Sequence, residues 1–135
     1  LCDRRQRQMC IRDSNNSFLI EDKILIGTRG WNLLDTENDS KMIKRENIRL
    51  KHAIEQGINQ YGKEKEIIAF MHYPPITKKN KTSEFIDTLK QYGIKKCYYG
   101  HLHGKSHQDA IEGCVDGINF KLVSADYLNF DLIKI

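Results

Sequence analysis

Proline is nearly missing from this chain: there are two in 135 residues, adjacent at Pro74-Pro75. That scarcity excludes a collagen-like or proline-rich chain, and no low-complexity tract is present either. Long apolar runs are lacking too. No stretch approaches the ~18 consecutive apolar residues of a membrane helix, so no membrane partner is expected. Four cysteines (Cys2, Cys10, Cys97 and Cys114) form no CxxC pair and are too few for a disulfide framework. A reducing compartment, the cytoplasm, is the expected location. What remains is 39% hydrophobic and 30% charged residues, the balance of a single globular domain or a piece of a larger one.

The formal charge of +4 suggests nucleic acid until its location is read. Residues 1–14 hold four of the 22 basic and two of the 18 acidic residues, leaving 18 against 16 in the rest. An excess of +2 without interleaved aromatics makes nucleic acid an unlikely partner. The same fourteen residues have no apolar h-region and so do not form a signal peptide. Met9-Cys10-Ile11-Arg12-Asp13-Ser14 is one reading frame of ATG TGT ATA AGA GAC AG, which resembles a transposon end used as a sequencing adapter. Residues 1–14 are therefore expected to be translated adapter outside the fold, the alternative being a basic arm. The domain is expected over 15–135, with the natural protein continuing upstream of Asn15.

Along that domain, Ser17–Ile20 and Lys23–Gly27 read as a β-hairpin around Glu21-Asp22. Asn32 to Ser40 is polar and reads as a loop. From Lys41 to Tyr61, Ile43, Asn47, Leu50, Ile54, Ile58 and Tyr61 recur at helical spacing, with Gly62 as the stop. Glu66–Met71 contains Ile67-Ile68-Ala69-Phe70-Met71, a continuous apolar run suited to a strand buried on both faces. Ser83 is placed to cap a helix running to about Tyr92, ended by Gly93. Lys95–Tyr99, Asn119–Ser124 and Phe130–Ile135 read as further strands. Helices alternating with buried strands make an α/β fold.

Two of these strands end in histidine: Met71-His72-Tyr73-Pro74-Pro75 and Gly100-His101-Leu102-His103-Gly104. Ligands of open α/β sheets sit at the carboxyl ends of strands. Histidines two apart can aim at one locus, and neutral imidazole suits zinc, manganese, iron or nickel. Arg29, between Gly27 and Gly30, is a candidate for a substrate phosphate, with an ordinary loop arginine as the alternative. Asp126 reads either as a carboxylate behind a liganding histidine or as a turn residue. Trp31 reads as a packing residue, and Arg45 with Arg49 as a solvated helix face. Lys78, Lys79 and Lys81 form a basic loop run. His52 and His107 read as surface histidines.

His72 with its following prolines, and then Gly100-His101-Leu102-His103, resemble in order two blocks of the calcineurin-like metallophosphoesterases. Gly27-Thr28-Arg29-Gly30-Trp31, Arg45-Glu46 with Arg49-Leu50, and Ser124-Ala125-Asp126-Tyr127 extend the similarity to a bacterial subgroup of predicted phosphohydrolases. The resemblance implies an αββα sandwich of two mixed sheets, of which this chain supplies mainly the second half. It implies a two-metal phosphoester hydrolase with divalent Mn, Fe, Zn or Ni, in which His72 and His101 ligate one ion and His103 the other. It also places further ligands in three earlier blocks: Asp-x-His, Gly-Asp-x-x-Asp, and Gly-Asn-His followed by Asp or Glu. None of these blocks occurs in this sequence. The chain is therefore expected to be the C-terminal part of such an enzyme, and inactive alone. The alternative is a metal- or phosphate-binding domain of the same fold without catalysis.

Overall fold

A computed structural model describes residues 16–34 and 36–135; the expected adapter segment, residues 1–14, lies outside them. Strands β1 (Ser17–Ile20), β2 (Lys23–Thr28), β3 (Glu66–Met71), β4 (Lys96–Tyr99), β5 (Gly113–Val115) and β6 (Ile118–Leu122) form one six-stranded sheet. Its order is β1-β2-β3-β4-β6-β5. The four central strands β2, β3, β4 and β6 run parallel, and β1 and β5 flank them antiparallel. Helices α1 (Glu37–Tyr61) and α2 (Glu84–Gln91) complete an α/β architecture with a mixed sheet. Among the described residues there is a single sheet, and no helix is long and apolar enough to cross a membrane.

Register fixes which side chains share a face. Ile24 pairs with Ile67, Ile26 with Ala69, Ala69 with Cys97, and Cys97 with Phe120. These residues join Leu50 and Ile54 of α1 and Phe85, Ile86 and Leu89 of α2 in one buried cluster. A Leu, Ile or Phe fully removed from water contributes ~1.5–3 kcal/mol each, so this cluster is the main stabilising element. Burial also pushes the Cys97 thiol pKa far up, keeping it an inert core residue. Ile68 at 0% and Tyr98 at 9% exposure face the other way, so β3 is buried on both faces as its apolar run requires.

Helix α1 starts four residues before the expected Lys41. Thr36 caps it, accepting from the Asp39 backbone N–H at 3.1 Å while its hydroxyl donates to the Asp39 carboxylate. The polar stretch 36–40 is therefore a helix start, because short polar side chains satisfy the orphan N–H groups of a first turn. Arg45 and Arg49 both turn onto Glu46, which is fully buried; its Oε1 lies 2.9 Å from Arg49 Nη1 and 3.7 Å from Arg45 Nη2. They are ion-paired, where the sequence reading made them a solvated face.

At the C-terminal end one expected strand is missing and one unexpected strand is present. Phe130–Ile135 forms no strand; Leu128, Phe130 and Asp131 instead donate backbone bonds to Ser124, Ala125 and Leu128 in successive turns. The unexpected strand is β5, joined to β6 by Asp116-Gly117, both at positive φ (52° and 80°). Asp-Gly with two left-handed residues is the tight hairpin turn whose twist matches antiparallel strands.

Candidate metal centre

The four parallel strands end level. Thr28, Met71, Tyr99 and Leu122 are register partners across the sheet, so the residues that follow them emerge along one edge. Backbone bonds continue past the ladder: His72 N–H donates to Thr28 O at 3.2 Å, Tyr73 N–H to Arg29 O at 3.0 Å, and Val123 N–H to Tyr99 O at 2.8 Å. Arg29, His72 and the Gly100–Gly104 segment are thus delivered to one place by the sheet itself.

His72 Nε2 and His101 Nδ1 stand 3.2 Å apart. Two imidazole nitrogens held ~2.0–2.1 Å from one ion stand ~2.9 Å apart at a right angle and ~3.4 Å apart at a tetrahedral angle. The observed separation falls between these limits. It is also the length of a hydrogen bond from one ring N–H to the other's lone pair, so the pair is spaced to share one proton or one cation. Burial, then the charges of His101, Arg29 and His103, hold the His72 pKa below the ordinary imidazole value. A histidine kept neutral in this way offers a lone pair, which a metal requires and an imidazolium lacks.

The backbone at His101 is strained. Its φ is 70°, and Leu102 N–H closes onto Gly100 O at 2.8 Å, making a left-handed three-residue turn of the rare kind. Of the two glycines that flank the His-Leu-His run, Gly104 takes a left-handed conformation at φ 55°, while beside Gly100 it is His101 that does so. Strain of this sort persists where surrounding structure enforces it, commonly at functional sites.

His103 lies beside Asp126: its Nδ1 is 2.8 Å from Asp126 Oδ1. The same carboxylate accepts from Gly104 N–H at 2.9 Å and Tyr127 N–H at 3.0 Å. The Gly104 N–H, then His103 and His107, hold the Asp126 pKa well below the usual carboxylate range. His107, read from the sequence as a surface histidine, belongs to this cluster. Its Nε2 lies 3.1 Å from Asp126 Oδ2, off the line of a full hydrogen bond, and has no other polar partner among the described residues. The short 3₁₀ helix Gly104–Asp109 folds His107 back over the turn, and its ring meets Tyr127 edge-on at 5.1 Å. The His-x-x-x-His spacing of His103 and His107 was the available signal. Donor atoms of His103, His107 and Asp126 lie within 4.8 Å of one another.

Arg29 is exposed, with its guanidinium 4.9 Å from the Trp31 ring centre and 5.8 Å from that of Tyr73. Trp31 is anchored in turn, its indole N–H donating to Asp39 Oδ1 at 2.9 Å. Thr36 first, and then Trp31, lower the Asp39 pKa and keep it an acceptor. Gly30 between them has φ 65°, and a Cβ there would meet Met71 Cε at 2.8 Å, so only glycine fits this turn. Tyr73, which the sequence reading left unassigned, packs on the pair: its ring centre is 4.8 Å from His72 and 4.5 Å from His101. Lys78 serves the scaffold, since it donates to Gln108 O and lies 4.0 Å from Asp109. His52 sits exposed on α1.

No known family model, curated protein or solved structure matches this chain.

Proposed function

We propose that these strand ends form part of a two-metal phosphoester hydrolase site. His72 and His101 hold one divalent ion and His103 contributes to a second. The observation that carries this reading is the 3.2 Å approach of His72 Nε2 and His101 Nδ1 across two adjacent parallel strands. The donor set fits, because imidazole nitrogen is a natural ligand for Zn, Fe and Ni and is accepted by Mn. When bound, two such ions supply Lewis acidity at a phosphoryl group and a nucleophilic water. Arg29, steadied by Trp31 and Tyr73, gives a planar, permanently charged fork for a phosphate oxygen. Tyr73 packs against both imidazoles and restrains their ring orientation. The αββα sandwich belongs to the same reading, as does the cytoplasm, where the free Cys97 and Cys114 would stay reduced.

This chain contains none of the Asp-x-His, Gly-Asp-x-x-Asp or Gly-Asn-His blocks, so it lacks their bridging carboxylate and the histidine that would protonate a leaving group. It therefore binds metal without turning over phosphoesters. The same absence favours a second reading, a metal- or phosphate-binding domain without catalysis. Assay with an aryl phosphate and a phosphodiester in manganese, nickel or zinc separates the chain's own activity from its binding. Turnover abolished by chelation and by His103→Ala would show that His72, His101 and His103 suffice for catalysis. Failure to bind any divalent ion would remove the two-metal reading and leave only phosphate binding from the second.

A further inference from the structure

Asp126 has the wrong surroundings for a metal ligand. An ionised carboxylate offers about four lone-pair sites. Here Oδ1 faces His103 Nδ1 and the Tyr127 N–H, and Oδ2 faces the Gly104 N–H and His107 Nε2. Three of the sites accept protein N–H groups or a ring nitrogen in hydrogen-bond geometry, and the fourth is covered by His107 Nε2 at 3.1 Å, off the hydrogen-bond line. The three-donor cluster of His103, His107 and Asp126 is therefore a clamp, in which the carboxylate grips two imidazoles and two backbone amides at once. The clamp joins the 101–109 segment to the 124–128 turn, and Tyr127 extends it by donating its hydroxyl to Glu112 Oε2 at 2.8 Å.

We propose that Asp126 is a positioning carboxylate shared by His103 and His107, holding His103 as its Nδ1–H tautomer so that Nε2 is left as a free lone pair for a divalent ion. The chemistry is that of a carboxylate behind a liganding imidazole, which fixes ring orientation and raises ligand basicity. His107 is the second handle on the carboxylate. Its ring, wedged against Tyr127, restrains Oδ2 while Oδ1 serves His103. This inference rests on the metal reading above, since a fixed tautomer at His103 matters only if Nε2 has an ion to meet.

The test reads the tautomer directly. Ring nitrogen–proton correlation spectra of the full chain, without metal and at a pH where imidazole is neutral, show His103 as the Nδ1–H form in the wild type. In Asp126→Ala both acceptors are gone, and His103 moves to the Nε2–H form or a mixture. Asp126→Leu, which also offers no acceptor and fills more of the space, repeats the measurement if Asp126→Ala does not fold. Nickel(II) titration of the same proteins gives ~10–100-fold weaker binding for Asp126→Ala, a smaller loss for His107→Ala and no loss for His52→Ala. An unchanged His103 tautomer in both Asp126 variants overturns the positioning role, whatever the chain does with metal. Unchanged nickel affinity in Asp126→Ala, where His103→Ala weakens it, overturns the link from clamp to ligand and leaves the metal reading standing. A wild-type chain that binds no nickel overturns the metal reading, and the purpose assigned to the clamp falls with it.

Discussion

At the amino-terminal edge of the parallel strands, charges meet opposite charges: Lys65 lies 2.6 Å from Asp22, and Lys96 lies 3.0 Å from Glu66. At the carboxyl edge His72 faces His101, Arg29 lies over aromatic rings, and the carboxylate beside the histidines, Asp126, stands behind His103. Left-handed backbone occurs at both edges, in the hairpin turns at Glu21 (φ 53°) and Asp116 (φ 52°) and at His101 (φ 70°), so the contrast between the edges lies in their charges. One edge satisfies its own groups, and the other holds basic donors apart from their usual partners. Departures from local charge pairing are expected at functional sites. The difference is what favours the second edge for the site proposed above.

The largest effect that sharpens this contrast is on metal affinity. His72→Ala or His101→Ala removes a ligand and should weaken divalent binding at least ~10–100-fold, a scale set by losses of residues behind ligands. Calorimetric titration checks it, and equal loss in His52→Ala would erase the distinction between the edges. Next in size, Gly30→Ala should cost ~1–2 kcal/mol or more, since it needs a left-handed backbone and meets Met71 Cε. Urea unfolding measures that cost; a neutral result would mean the Arg29 turn is not held as described.

His101→Gly should do the reverse. Glycine removes the Cβ strain at φ 70°, so the chain gains up to ~1 kcal/mol of stability while losing divalent binding. A loss of stability in the same urea experiment would deny that the turn is strained. At the amino edge, replacing the Lys96–Glu66 pair by Met and Gln should change stability by at most ~1 kcal/mol and leave nickel binding untouched. The smallest effect is a pH dependence. Hydrogen bonding to Lys65 holds the Asp22 pKa below the ordinary carboxylate value. Its contribution is therefore complete above the unfolded carboxylate pKa and is lost as pH falls through the lower folded one. Asp22→Asn should flatten that acid limb of stability, and an unchanged limb would show that the pair does not form in solution.

Much of this contrast can be read before any coordinates, for physical reasons that differ by residue. The continuous run Ile67-Ile68-Ala69-Phe70-Met71 could hardly be anything but a doubly buried strand, and a histidine following it had to stand at a sheet edge. Ser83 and Gly93 bracket α2 because a hydroxyl cap and a left-handed stop are local chemistry. His107 escaped because its role depends on a 3₁₀ turn and on Asp126, nineteen residues further along the sequence. Phe130–Ile135 is apolar at four of six positions, as a short strand can be, but the segment before it spends its hydrogen bonds in turns. Asp116-Gly117 did announce a hairpin, and the three-residue strand preceding it was too short to show periodicity.

The claim that two neighbouring strand ends build one metal-binding locus is tested most directly by nickel(II) calorimetry on the wild-type chain beside His72→Ala, His101→Ala and His52→Ala. Saturable binding in the wild type and His52→Ala, lost in the other two, is the predicted result. Binding that survives both losses, or no binding in the wild type, would contradict it.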